Sequence, residues 1–135
     1  MKLNQATDYA FRAVYYLAGL PKGQLVEAKT IAEAEKIPLR FLIKILRSLL
    51  AAGIVVSYRG VSGGYALAKE PREITLKDVV EAVEGPIELN RCLVDPSECN
   101  KNQSAHCSLH RALFSIRQTL NRELAKYDFD TLHKN

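Results

Sequence analysis

The stretch from Ile37 to Leu67 constrains the fold more than any other part of the sequence. Its first half places apolar residues at intervals of three and four, which predicts a helix with one buried face. These residues are Leu39, Leu42, Ile43, Leu46, Leu49 and Leu50. Gly53 can adopt a positive φ and is expected to end the helix.

A hairpin is predicted directly after this helix. Residues 54–58 begin with β-branched side chains and are predicted to form the first strand, with Ile54, Val56 and Tyr58 on one side. Tyr65 begins the second strand. The turn between them, residues 59–64, contains glycines that permit a sharp bend.

The predicted helix also carries cations on its outer face. Arg40, Lys44 and Arg47 share one stripe, and Arg59 opens the hairpin turn. A short helix, a tight turn, a basic helix and a hairpin in this order predict a winged helix-turn-helix. The basic helix would fit the major groove of DNA, and the arginine would suit the minor groove. The alternative is a solvated helix face beside a structural hairpin, but the order of the elements favours DNA binding.

Length and composition indicate one globular domain. The chain has 135 residues, of which 47% are hydrophobic and 25% are charged, with a net charge of +4. No segment is long enough to span a bilayer, and residues 1–5 lack the apolar core of a signal peptide, so we expect a cytoplasmic protein with no membrane partner. Paired catalytic carboxylates, a serine elbow and a phosphate loop are not recognisable, which predicts no enzymatic activity and no small-molecule substrate.

The other predicted elements are helical. Helices are expected at residues 4–17 and 26–35, and a third begins after Thr75, whose side chain would form a capping box with Asp78. Ser108 to Tyr127 is expected to form a long helix capped by Ser108. Its apolar repeat resembles a coiled-coil seam and favours packing against a second copy of the chain: Leu109, Leu113, Ile116, Leu120, Leu124 and Tyr127.

These elements define the predicted organisation. The fold is mainly α with a small β-hairpin, and consists of a winged helix-turn-helix and a long C-terminal dimerisation helix. The DNA-binding domain covers residues 1–85, a cysteine-rich loop covers 86–107, and the dimerisation helix covers 108–127. Residues 128–135 are expected to form a polar tail that frays.

The cysteine-rich loop is the candidate metal site. Cys92, Cys99 and Cys107 have six and seven residues between them, and His110 lies one helical turn after the last thiol. Three thiolates suit an iron–sulfur cluster, whereas the close cysteine pair of most zinc sites is absent. The alternatives are a thiol redox switch and cysteines that serve only as small apolar residues.

The sequence resembles the Rrf-two family of winged-helix regulators, which includes IscR, NsrR and RirA types. The resemblance covers nearly the whole chain. It is carried by the three-cysteine loop before a long helix and by several motifs: Thr7-Asp8-Tyr9-Ala10, Phe41-Leu42, Ile45-Leu46, Leu49, Ala52-Gly53-Ile54-Val55, Arg59-Gly60-Val61-Ser62-Gly63-Gly64-Tyr65 and the segment Ile74 to Gly85.

The resemblance implies a homodimeric transcription regulator with a cluster held by Cys92, Cys99 and Cys107. In IscR-like members a histidine after the last cysteine is the fourth ligand of a 2Fe–2S centre, and His110 matches it. In NsrR-like members an aspartate of the other subunit completes a 4Fe–4S centre that reacts with nitric oxide, and Asp8 matches it.

The implied partner is a double-stranded DNA operator. The residues expected to contact it are Arg40, Phe41, Lys44, Arg47, Arg59, Gly60, Ser62 and Gly63. The predicted function is a DNA-binding transcription regulator that senses redox, iron or nitric oxide state through its cluster. The alternative is a metal-free, thiol-based redox repressor with the same fold.

Overall fold

A computed structural model describes residues 2–89, 93, 95, 97 and 107–134. Its helices are α1 (Gln5–Ala18), α2 (Ala28–Glu35), α3 (Leu39–Ala51), α4 (Leu76–Glu84), α5 (Ser108–Ala125) and α6 (Phe129–Lys134). Strands β1 (Val55–Tyr58) and β2 (Gly64–Leu67) pair antiparallel, with Val55 opposite Leu67. The predicted class, mainly α with a small hairpin, is confirmed.

The core lies where α1, α3 and α4 meet. Small residues on the inner face of α1, namely Ala10, Ala13 and Val14, are completely buried and allow the neighbouring helices to approach closely. Larger side chains then fill the remaining space, with Leu42, Ile45, Leu46 and Leu49 from α3 and Val79 from α4.

The capping box predicted for α4 is confirmed, and α1 also has a side-chain cap. The Asn4 side chain accepts a hydrogen bond from the Thr7 amide at 2.9 Å. Thr75 and Asp78 exchange side-chain and backbone hydrogen bonds in a capping box. The cap predicted at Ser108 is wrong, because Ser108 is the first residue of α5 and Cys107 occupies the N-cap position.

The second strand of the wing is anchored near the turn to the segment before α2. Val26 and Tyr65 exchange two backbone hydrogen bonds of 3.0 and 2.8 Å, so Val26 belongs to this bridge and α2 begins two residues later than expected. Within β1, Val55 is buried whereas Tyr58 is exposed. The side of the strand that enters the core is therefore not the side formed by Val56 and Tyr58.

The expectation of a frayed polar tail is wrong for residues 128–134. Phe129, at the start of α6, is 1% exposed and joins the core. The Leu76 amide donates to the Tyr127 carbonyl at 2.9 Å, and the Phe129 amide donates to the Ile74 carbonyl at 3.1 Å. His133 stacks on Tyr15 of α1, with ring centroids 3.8 Å apart. These contacts fix α6 against α1 and the segment that leads into α4.

Helix α5 packs on α4 but has no fully buried residue. It ends at Ala125, two residues before the predicted end at Tyr127. Leu109 is 73% exposed and Ile116 is 55% exposed, so part of its apolar repeat faces away from the rest of the chain. Among the residues that the structure describes, no helix is both long and apolar enough to cross a membrane.

Candidate nucleic-acid interface and metal centre

The outer face of α3 is basic, because the opposite, apolar face packs in the core. Burial of Leu42, Leu46 and Leu49 turns the helix's cations outward. Arg40, Lys44 and Arg47 there line a shallow cavity of about 330 Å³ together with Phe41 and Ile43. The Phe41 ring is 45% exposed, and the Arg40 guanidinium lies 5.5 Å from its centroid. None of the three cations forms a salt bridge to a described residue. The charges are therefore available for phosphates or base edges.

The wing tip is a narrow turn. The Gly63 amide donates to the Gly60 carbonyl at 3.0 Å, and Gly60 has a φ of +110°. A Cβ atom on Gly63 would lie 2.2 Å from the Tyr58 carbonyl oxygen, so the backbone at this point leaves no room for a side chain. Arg59 and Ser62 are exposed at the tip, in the positions that the sequence predicted. A tip of this kind can enter a narrow groove.

A polar cluster on α1 holds Asp8 in place. The Arg12 guanidinium contacts Asp8 Oδ2 at 2.8 Å, donates to the Glu35 carbonyl at 2.9 Å and lies 4.8 Å from the centroid of the Tyr9 ring. The Asp8 side chain is 61% exposed. The ion pair joins two residues of α1 that are four positions apart, and the contact with Glu35 adds a link between α1 and the end of α2.

The candidate metal centre is described only in part. Cys92 and Cys99 lie outside the described residues. Cys107 is partly buried at the N-cap of α5, and His110 lies in the first turn of the same helix. The described residues contain no group of three metal-ligating side chains, but they include only one of the three predicted thiols. The thiol and imidazole fit iron as donors, and the positive end of a helix favours negatively charged ligands.

Arg117 attaches the other end of the cysteine loop to α5. Its guanidinium contacts Glu88 Oε2 at 3.0 Å and the Leu93 carbonyl at 3.5 Å. The two ends of segment 86–107 therefore meet the same helix, one through Cys107 and the other through Arg117. The sequence did not indicate Arg117, because its partners lie 29 and 24 positions away along the chain.

The sequence pattern that defines the Rrf2 family, described as an iron-dependent transcriptional regulator, matches residues 3–135. The chain belongs to the Rrf2 family. This confirms the predicted resemblance. Members of the Rrf2 family are DNA-binding transcription regulators, and the prediction of a regulator rather than an enzyme is also confirmed.

Named relatives of this Rrf2 chain include the HTH-type transcriptional regulator NsrR of Shouchella clausii. It is 34% identical over 129 residues, which cover 93% of this chain and 87% of the relative. Among solved structures, CymR (YrzC), the global cysteine regulator of B. subtilis, is 27% identical with a TM-score of 0.75, covering 98% of this chain and 95% of CymR. IscR of T. potens is similar in fold, with 24% identity, a TM-score of 0.76 and coverage of 99% and 87%.

Proposed function

We propose that this Rrf2-family regulator binds its operator as a homodimer and senses redox, iron or nitric oxide state through an iron–sulfur cluster in segment 86–107. The observation that carries the proposal is the position of Cys107 and His110 at the start of α5, the helix whose apolar side is uncovered. The same helix would then hold the cluster and form the dimer.

The proposed DNA contacts use two surfaces. In the major groove, Arg40, Phe41, Lys44 and Arg47 of α3 would meet phosphates and base edges. In the minor groove, Arg59 would enter with the backbone and hydroxyl of the narrow tip, at Gly60, Ser62 and Gly63. The support is that these cations are exposed and form no salt bridges within the described part of the chain.

The proposed dimer contact lies along α5. Leu109, Ile116 and Tyr127 are largely exposed, and Leu113 and Leu120 are only partly covered. A second α5 packed against this stripe would remove the apolar surface from water. Twofold symmetry would also present two basic helices and two wings to two half-sites of one operator.

The proposed cluster ligands are Cys92, Cys99 and Cys107, with either His110 or the partner subunit's Asp8 in the fourth position. Similarity to NsrR and IscR supports a cluster. Arg12 contacts Asp8 through Oδ2, and within the described part of the chain the exposed carboxylate accepts no other side-chain hydrogen bond, which leaves Oδ1 available.

When bound, a cluster of this type supplies iron that responds to oxidants and nitric oxide. The role of the chain is to hold the ends of segment 86–107 against α5 through Cys107 and Arg117. Release of the thiols would free the segment and alter how the two α3 helices are spaced, which would change operator affinity.

A second candidate is a thiol-based redox repressor without a metal. Similarity to CymR, the global cysteine regulator, favours it, as does the partial exposure of the Cys107 thiol. In this case oxidation of the three cysteines would replace cluster chemistry.

Purification without oxygen, followed by absorbance spectra and iron and sulfide assays per chain, separates the two candidates. We expect a brown protein whose visible bands collapse with nitric oxide, and Cys107→Ala should abolish its iron and sulfide content. Ser108→Ala, one residue away and exposed, is the matched control and should retain both.

Two further variants identify the fourth ligand. Loss of the cluster in His110→Ala but not in Asp8→Ala supports the histidine scheme, and the reverse supports the aspartate scheme. A colourless protein that resists cluster reconstitution, and whose DNA affinity responds to peroxide, would contradict the cluster and favour the thiol repressor.

A further inference from the structure

Val61 stands at the outermost point of the wing. It occupies the first central position of the turn that Gly60 and Gly63 close, and its side chain is fully exposed, at 103% of the reference area. Its immediate neighbours at the tip are Gly60, which has no side chain, and Ser62. Only Arg59, Val61 and Ser62 therefore project side chains from the tip.

The wing holds Val61 outward rather than letting it fold back. At the tip, the backbone at Gly63 passes too close to the Tyr58 carbonyl for any side chain. One residue further on, at the start of β2, a Cβ on Gly64 would lie 2.7 Å from the backbone of Val26, whose two hydrogen bonds to Tyr65 hold this strand directly beside the turn. The result is a thin turn on an anchored strand, with an isopropyl group at its end.

A single exposed valine on a protein surface needs no explanation by itself. Here the valine lies two residues after Arg59, on the element that would enter the minor groove. That groove is about 6 Å wide, and its floor differs between base pairs chiefly in the N2 amino group of guanine. An apolar group pressed against that amino group would leave an unsatisfied hydrogen-bond donor.

We propose that Val61 is a specificity-determining residue that selects A·T pairs where the wing enters the minor groove. This inference rests on the proposed DNA contacts of the wing and adds a base-pair preference to them. The isopropyl group packs against the groove where an A·T pair presents no amino group, and a G·C pair is rejected because its N2 amino group is desolvated without a partner.

Val61 and Arg59 then have separable effects. Arg59 contributes charge, so its contribution to affinity falls as salt rises. Val61 is uncharged and, as a β-branched residue, has few rotamers to lose on binding. Its contribution therefore takes the form of discrimination between base pairs, with little dependence on salt.

Inosine substitution tests the proposal. The probe is the tightest-binding duplex that the wild-type full-length chain recovers from a random-sequence pool, with each A·T pair changed in turn to G·C and to inosine·cytosine. An inosine·cytosine pair resembles G·C in the major groove but lacks the N2 amino group in the minor groove. At the A·T pair that the wing contacts in the minor groove, we expect the change to G·C to weaken binding about fivefold. Inosine·cytosine should restore affinity to within about twofold.

Variants of Val61 locate the effect. Val61→Ala should lose most of the discrimination, and Val61→Thr should tolerate G·C because its hydroxyl can accept a hydrogen bond from the amino group. Both should keep the wild-type Tm, since the side chain packs on nothing. Arg59→Ala should weaken binding to every duplex and preserve the ratio between them.

Three results would overturn the proposal: equal loss with G·C and inosine·cytosine, no discrimination at any minor-groove position, or full discrimination by Val61→Ala. Failure to recover any duplex would instead overturn the proposed DNA interface, and this inference with it.

Discussion

Replacing Phe129 with alanine tests whether α6 belongs to the core. The ring is 1% exposed and is the largest fully buried side chain among the described residues. Phe→Ala at such sites costs about 3–5 kcal/mol, because the lost transfer free energy and the cavity term add, so we expect about 4 kcal/mol. With an unfolding entropy of about 2.1 cal/mol/K per residue, a chain of 135 residues should then lose about 14 °C in Tm.

The assays are thermal unfolding, which gives Tm, and urea unfolding, both followed by circular dichroism. Both use one fixed chain concentration because dimerisation would make stability concentration-dependent. The midpoint should fall with little change in slope. Phe41→Ala is the matched control: its ring is 45% exposed and leaves no enclosed cavity, so we expect a loss of about 1 kcal/mol. A wild-type midpoint for Phe129→Ala, or equal losses for both variants, would refute the docking of α6.

The remaining predictions concern the DNA affinity of a wing variant and the fall of Tm at acid pH. Arg59→Ala should lower affinity for all duplexes and reduce the slope of log affinity against log salt by about one, as measured by titration at several salt concentrations; an unchanged slope would contradict a phosphate or minor-groove contact. The Thr131 amide and hydroxyl donate hydrogen bonds to the Asp128 carboxylate and lower the pKa of that carboxyl. The ionised carboxylate therefore stabilises the fold above its unfolded-state pKa of about 3.9. This contribution is lost as the pH falls through the lower folded-state pKa. Asp128→Asn should flatten the fall of Tm between about pH 5 and pH 2, and identical acid profiles would argue against this contribution.

The DNA-binding half could be predicted well because its signals are local. The helical repeat correctly places Leu42, Leu46 and Leu49 on the buried face of α3 and leaves its cations outside. It is wrong for Leu39, which is 45% exposed at the start of the helix. The capping box of Thr75 and Asp78 lies within four residues, so its geometry follows from sequence spacing alone.

Contacts between distant segments could not be predicted in this way. Val26 was assigned to α2 because its own neighbours suggest a helix, whereas its hydrogen bonds go to Tyr65. No sequence pattern singles out Arg117, which contacts Glu88 and Leu93. Residues 128–135 suggest a polar tail because only Phe129 and Leu132 are apolar.

The sequence alone determined the class of the protein. Periodicity, caps and glycine positions are local properties, and together they specified a winged helix-turn-helix with an exposed basic helix and a narrow wing. The tertiary structure decided which isolated side chains were buried. Phe129 is buried because its backbone bonds to Ile74 and the preceding Tyr127 bonds to Leu76, which brings the ring into the core. No sequence pattern within α6 indicates these contacts. Burial of a single side chain depends on contacts with residues distant in the sequence, which the sequence around it does not indicate. Burial of a helix face can be predicted because its apolar residues repeat at helical intervals.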